Sequence, residues 1–557
     1  MQNPIPFKFY NQILFVIAVV FLLLIFLNVF IVNFFFAINL VPSSVIFYSS
    51  VFLSIVGCSI ISSKYFLVNS KFILFGVLSS CAIFILAKNN SQNFYDVSWD
   101  GQAYQLEAII KMIEGWNPIK TQLDNSIKVE NIFINHYPRG TWLNSFSFYQ
   151  VTENIESGKL FNYLWFVIAW CLSVVVFNHF FKINFFISFF LGLAAAANPV
   201  TIYQSSSNYV DGQIAAGILT FILLSIFIFY SNNTGSIILL SIIISLLINY
   251  KFSLPFYLVI LSVGIILIFL LYKNTEAVKK FIYSSIMGFV FGVGILGFSP
   301  YITNILQFQN PIYPLADKSK TEISIGIEEA IQPASFENKN RFERLFQSTF
   351  SKSIWSQTPL NNVLKIPGTF SYDEKINYAL ADGSMAGLGP YFSLALLICL
   401  IMLPILYIHN KKIFFSILIS ISFVLGSVFI SRIGWLARYA PQFYLICILV
   451  VTALFLIRKW WTFILGCFCL LLLIINDYTI AEIYFPYQKM FTLELNNQLN
   501  ILQKRTDTTL VCFGPFNSNR LRFKSKNIKF REVNSISELN IDSPKYLPWL
   551  FNKVATN

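Results

Sequence analysis

The chain is 557 residues long, 56% hydrophobic and only 12% charged, with a mean hydropathy of +0.65. Water-soluble domains carry roughly 25% charged residues, so the composition excludes one, and 60 phenylalanines add apolar surface that water would not tolerate. The formal charge of +13 does not point to nucleic acid, because the basic residues collect at the ends of apolar runs.

Runs able to cross about 30 Å of hydrocarbon at 1.5 Å per residue fall near 12–37, 42–62, 71–87, 160–181, 183–199, 208–230, 235–250, 252–272, 281–299, 389–409, 412–431, 438–457 and 460–480. They predict an all-α polytopic membrane protein with about 13 transmembrane helices. The first run is too long for a cleaved leader, and no small-residue cleavage site follows Phe34, Phe35 and Phe36. Seven of the eight cysteines lie inside apolar runs as small hydrophobes, and only Cys512 lies in polar sequence, so no disulfide framework is expected.

Lys64, Lys71, Lys182, Lys273, Lys279, Lys280, Lys411, Lys412, Arg458 and Lys459 sit in or beside short connections whose lone acid is Glu276. With Lys8 they share one side, and this asymmetry places the N-terminus in the cytoplasm of a multi-pass plasma (inner) membrane protein. The helical blocks 1–87, 160–299 and 389–480 then alternate with three large extracytoplasmic segments, 88–159, 300–388 and 481–557.

Segment 88–159 holds eight acids, among them Asp96 and Asp100 in Phe94-Tyr-Asp-Val-Ser-Trp-Asp-Gly-Gln-Ala-Tyr104. Acids four apart on a helix or turn can converge, to hold a divalent cation or to let one act as a general base beside the other. The structural alternative is that Asp100 caps a helix and Asp96 shapes a turn. Residues 101–114 carry Tyr104, Glu107, Lys111 and Glu114 on one stripe with Asp100, and Ala103, Leu106, Ile110 and Ile113 on the other. This predicts an amphipathic helix along the membrane surface, acids toward water, stopped by Gly115-Trp116-Asn117-Pro118. Further on, His136 and Arg139 flank Tyr137-Pro138. An arginine fork and a tunable imidazole suit a phosphate or a sugar, against the alternative of a surface turn at the headgroups.

Asp211 opens a span and Lys251 lies between two apolar runs. Ionisable groups at the hydrocarbon boundary usually line a cavity or path, unless they snorkel to the headgroups. In 300–388, six prolines break any long helix and predict short helices packed on the membrane domain. The Gly-rich stretch from Asp382 to Pro390 lacks the spacing of a nucleotide loop, and the absence of a Walker motif weighs against an ATP-driven pump. Arg432 and Arg438 end spans on the outer side, where they could clamp a lipid phosphate. In the tail, Thr508–Phe513 and Ile528–Val533 predict strands of a small C-terminal α/β appendage.

The order of these features resembles the GT-C superfamily of membrane glycosyltransferases, bacterial type. The residues that carry the resemblance are Asp96-Val-Ser-Trp-Asp100-Gly-Gln-Ala-Tyr104, Gly115-Trp-Asn-Pro118, Asn198-Pro-Val, Tyr209-Val-Asp-Gly212, Tyr301-Ile-Thr-Asn304, Asn310-Pro-Ile-Tyr-Pro314 and Gly387-Leu-Gly-Pro390, within about residues 70 to 460. The resemblance implies sugar transfer from a polyprenyl-phosphate carrier to a glycan, lipid or protein acceptor outside the cytoplasm. It implies a general base in the first outer loop, Asp100 in preference to Asp96, and cations at the departing phosphate, with Arg438, Lys251 and Arg139 as candidates. Tyr104, Glu107, His136, Asp211 and Asp382 join them as substrate-binding candidates. Some members hold a divalent metal beside the acids, but Gln105 stands where related sequences often have His, and three spans rather than one precede the acidic loop. The rival readings are a transporter or flippase of lipid-linked saccharides, a polymerase, and a scaffold. The near absence of charge from the first three and last four runs speaks against the transporter.

Overall fold

The computed structural model describes residues 7–125, 130–231, 233–315, 332–354, 363–382, 385–534, 536–539, 545–547 and 552–555. Ten of its helices are long and apolar enough to cross a membrane: Phe9–Ala37, Ser44–Phe66, Ser70–Gln92, Ile155–Phe180, Asp211–Ser231, Leu254–Leu271, Thr275–Leu296, Phe392–His409, Lys411–Ile430 and Trp460–Gln503. Three shorter apolar helices, Phe185–Ala196, Thr234–Ile248 and Pro441–Ile457, stand where the remaining expected runs lie. The frequent asparagines of the connections have a local cause. The side chains of Asn69, Asn184, Asn233, Asn274 and Asn410 each accept from a backbone N–H in the first turn of the helix that follows, satisfying a donor with no partner inside the helix.

Phe9–Ala37 is the buried axis of the N-terminal half, packed by Ser44–Phe66, Ser70–Gln92 and Leu160–Val175. The outer faces of its neighbours expose Phe52, Leu74, Phe75 and Leu78, which suits a lipid environment and would be a liability in water. Where two apolar helices meet, small residues let the backbones approach. The hydroxyls of Ser241 and Ser245 donate to Ser284 O at 3.0 Å and Gly288 O at 2.9 Å, and the Asn249 amide donates to Gly292 O at 2.8 Å. A Cβ at Gly288 would lie 2.8 Å from both Ser241 O and Ile244 Cβ. Gly288→Val should therefore force the helices apart and cost about 1–3 kcal/mol, read as a lower melting temperature in detergent, with Gly294→Val, where a Cβ meets nothing within 4 Å, as the neutral comparison.

The last helix departs from expectation. The apolar run ends near 480, yet Trp460–Gln503 continues for 44 residues with Pro486 inside it, about 66 Å at 1.5 Å per residue. Its outer half stays helical because Leu495, Leu499 and Leu502, on one stripe, pack against Val511, Phe513, Phe523 and Ile528 of the tail. The tail forms a four-stranded sheet of β1 (Thr509–Cys512), β2 (Phe530–Glu532), β3 (Lys545–Leu547) and β4 (Asn552–Ala555), in the order β2-β1-β4-β3. Parallel β1 and β2 flank the helix Asn519–Ser525, as the α/β expectation requires, and β4 pairs antiparallel with β1 and β3.

The amphipathic stretch also differs. It begins as a wide-turn segment, Gly101–Gln105, and becomes α-helical over Leu106–Ile113. Its acids do not all face water, because the appendage covers the stripe. Glu107 is buried, with Lys111 Nζ at 3.7 Å and Arg520 Nη2 at 3.6 Å, and Ser518 Oγ donates to Gln102 O at 2.8 Å. Period alone identifies a polar stripe; what lies over it comes from more than 400 residues away.

Candidate functional site

Five chain ends at the same end of the bundle bring charged side chains together: Asp100 after Ser70–Gln92, Asp211 at the start of its helix, Lys251 before Leu254–Leu271, Asp382 before Phe392–His409, and Arg438 after Lys411–Ile430. Arg438 is the hub. Its Nη1 lies 3.1 Å from Asp100 Oδ2 and 3.5 Å from Asp382 Oδ1, and its guanidinium sits between two rings, 5.1 Å from Tyr209 and 4.9 Å from Tyr439. Such a stack restrains a planar cation that water would otherwise solvate. The other face of this arrangement is Lys251, whose ammonium pairs with Asp211 and lies 4.1 Å over the Tyr439 ring. The cluster thus sets three carboxylates against two cations, a surplus of one acid.

The supports are polar and mostly buried. The Tyr209 hydroxyl donates to Asp382 and accepts from the Asp100 backbone N–H at 3.3 Å. Gln204 donates to Asp211 Oδ2 at 3.3 Å and to Ala381 O at 3.0 Å, while its Oε1 accepts from Gly212 N at 2.8 Å. Tyr257 donates to Tyr439 O at 2.7 Å. Burial lifts the Asp382 carboxyl above its usual range; Arg438 opposes that shift and the Asp100 charge adds to it. Tyr209→Phe would leave Asp382 without its hydroxyl partner, a hydrogen bond to a charged group worth about 1.5–3 kcal/mol. The expected result is a measurable drop in thermal stability with Arg438 still paired to Asp100.

The two acids of the first loop part company. Asp96 is 0% exposed, and its carboxylate accepts from Ser98 N (2.9 Å), Ser98 Oγ (2.5 Å), Asn208 N (2.7 Å) and Asn208 Nδ2 (2.8 Å). Four donors saturate it. A Cβ at Gly101 would fall 2.2 Å from Asp96 Oδ2, so glycine is required for this turn to close over the carboxylate. Asp100, with its side chain 26% exposed, is the acid that can meet a ligand. This division does not fit a metal held by Asp96 and Asp100, since one carboxylate is saturated and the other turned to Arg438. Among the described residues no group of three or more His, Cys, Asp or Glu is arranged to hold an ion.

The remaining candidates are placed as follows. Tyr104 packs in an aromatic wall with Tyr137 and Phe133, at 6.4 and 6.1 Å, and burial, then the Asp100 charge, raises its pKa. Glu107 lies under the appendage. His136 is buried, with Nδ1 2.8 Å from Asn304 Oδ1 and its ring against Phe308 and Tyr313, and burial lowers its pKa toward the neutral imidazole. Arg139 spends its guanidinium on Pro118 O, Asn135 O and Ser299 Oγ, the last at 2.7 Å. Both brace the loop against the 298–315 segment, His136 through Asn304 and Arg139 through Ser299. Asp382 lies among the described residues, whereas Gly383 and Ser384 of its Gly-rich stretch lie outside them.

Sequence reasoning missed Tyr209, Tyr439 and Gln204 as site members. An aromatic beside each flagged ion, Tyr209 two residues before Asp211 and Tyr439 next to Arg438, was the available signal. It also missed Glu156 and Arg522, whose ion pair ties the Asp96 turn to the tail: Arg522 Nε lies 2.8 Å from Glu156 Oε1, Nη2 donates to Asp96 O at 2.8 Å, and Asp96 N donates to Glu156 Oε2 at 2.9 Å. The searches for relatives found no match to this chain among family models, curated proteins or solved structures.

Proposed function

We propose that this chain is a glycosyltransferase of the GT-C kind, moving a sugar from a polyprenyl-phosphate carrier to an acceptor hydroxyl at the bilayer surface. In this reading the ten long and three shorter apolar helices make thirteen spans. The end carrying Lys64, Lys273, Lys412 and Arg458 faces the cytoplasm, which puts the Asp100–Arg438 cluster on the extracytoplasmic side of the plasma membrane.

The observation that carries the proposal is the meeting of Asp100, the partly exposed acid of the first loop, with Arg438 and Asp382 from segments some 300 residues away. Asp100 would take the proton of the acceptor O–H as that oxygen bonds to the anomeric carbon. The bond from that carbon to the phosphate oxygen breaks, and its electron pair leaves on the polyprenyl phosphate. Cations fixed before the reaction stabilise the charge that grows on this leaving group; Lys251, 26% exposed beside Tyr439, and Arg438 stand at the cluster for that role. The partly exposed rings of Tyr104 and Tyr137 offer aromatic surface against which a sugar can lie. No step is routed through a metal, since the residues do not fit one.

The test is transfer by the purified protein in detergent. Polyprenyl-phosphate pentoses and hexoses are offered one at a time with envelope glycan, lipid and peptide acceptors, and free polyprenyl phosphate is measured with labelled product. Release coupled to transfer for one donor is expected. Failure with every donor by a folded protein, or labelling that puts 88–125 in the cytosol, sinks the reading.

A further inference from the structure

A cavity of about 390 Å³ lies at the opposite end of the bundle from Asp100 and Arg438. It is a groove between Asp211–Ser231, Leu254–Leu271, Lys411–Ile430 and Leu445–Leu456, within the roughly 300–1,000 Å³ range of small-molecule sites. Its deep end is closed by Leu219, Leu261 and Leu445, and its mouth by Tyr230, Tyr272 and Arg458. From Leu219 to Tyr230, and from Leu261 to Tyr272, the helices rise about 16 Å, close to half of the roughly 30 Å hydrocarbon core. The groove is therefore one leaflet deep.

Its charge is equally one-sided. Arg458 is exposed at the mouth, Lys412 places its ammonium 4.1 Å over the Tyr272 ring, and no acid lines the groove among the described residues. An apolar slot of leaflet length with cations at its wet end matches one molecule with a hydrocarbon chain and an anionic head. The sugar carrier does not fit, because its phosphate belongs at the other ends of these same helices, about 29 Å from Tyr230 along Asp211–Ser231.

We infer that this groove holds an acyl chain of an anionic phospholipid from the leaflet at that end, with the lipid phosphate seated at Arg458 and Lys412. Leu254–Leu271 and Lys411–Ile430 already meet directly, with Gly264 against Phe423, so the lipid fills the space that remains between this pair and Asp211–Ser231, and its occupancy stabilises the bundle. Only the exclusion of the sugar carrier rests on the reaction proposed above; the fit of an anionic lipid rests on the lining of the groove itself.

The full-length protein, stripped of lipid in a neutral detergent, is titrated with phosphatidylglycerol, with phosphatidylcholine of the same chains, or with inorganic phosphate, and thermal unfolding is followed. Phosphatidylglycerol should raise the melting temperature saturably, and the other two should not. Arg458→Gln should raise the half-saturating lipid concentration about fivefold, and with Lys412→Gln about 25-fold, taking about 1 kcal/mol per cation. Thr452→Trp, which fills the slot, should abolish the shift. Equal responses to the two lipids, a shift with phosphate alone, or an unchanged half-point in the double variant would overturn the assignment, and the exposed Arg458 and Lys412 variants keep it testable if Thr452→Trp does not fold.

Discussion

Asp100→Asn is expected to lower the transfer rate by about 10²–10⁴-fold while leaving the melting temperature almost unchanged. The amide keeps the shape of the carboxylate and an oxygen for Arg438 Nη1, 3.1 Å away in the parent, but it cannot take a proton from an acceptor. The side chain is partly exposed, so little packing depends on it. Asp96→Asn should behave in the opposite way. Its carboxylate is buried and accepts from four donors. An amide there points two N–H groups at existing donors, at a cost of about 1.5–3 kcal/mol per lost charged hydrogen bond. The measurement is paired: initial transfer rates and unfolding curves of both variants. A fully active Asp100→Asn protein would remove the proposed base.

The second large effect is on stability. Arg522→Ala removes the cation that bridges Glu156, Gln102 Oε1 and Asp96 O. Deleting one partner of a buried ion pair costs about 3–5 kcal/mol, because the other charge stays buried. Lys159 remains 2.7 Å from Glu156 Oε2, which sets the expectation at the lower end, about 3 kcal/mol. Arg522→Lys should recover part of this, lacking the fork that reaches Glu156 and Asp96 O together. Unfolding in detergent reads the loss, and protease sensitivity of residues 504–534 reads release of the appendage. Transfer should fall in step with release, since the Asp96 turn that precedes Asp100 hangs from the same guanidinium. An Arg522→Ala protein with parental stability would show the bridge to be incidental.

Apolar runs made the spanning helices legible, because burial in lipid demands length and hydrophobicity that a single sequence displays directly. The sequence also displayed the ions at span ends, since charge there is conspicuous. It did not display which of two acids four residues apart would be saturated, because two of the four donors to Asp96 come from Asn208, 112 residues on. Glu107 misled for the same reason: its stripe is polar, but Arg520 covers it. The overlong last helix was hidden by Pro486 and by the end of the apolar run, two local signals overridden by packing of Leu495, Leu499 and Leu502 on the tail.

The bond between Arg522 and Gln102, 420 positions apart, has a consequence for biosynthesis. At roughly 5–20 residues per second, the ribosome delivers the first loop tens of seconds before the segment that clamps it. Until then Lys159 is the one of the two cations beside Glu156 that has been made. The half-made protein holds its first loop unfastened, so the turn around Asp96 and Gln102 is clamped only once the helix Asn519–Ser525 has been translated and has docked on it.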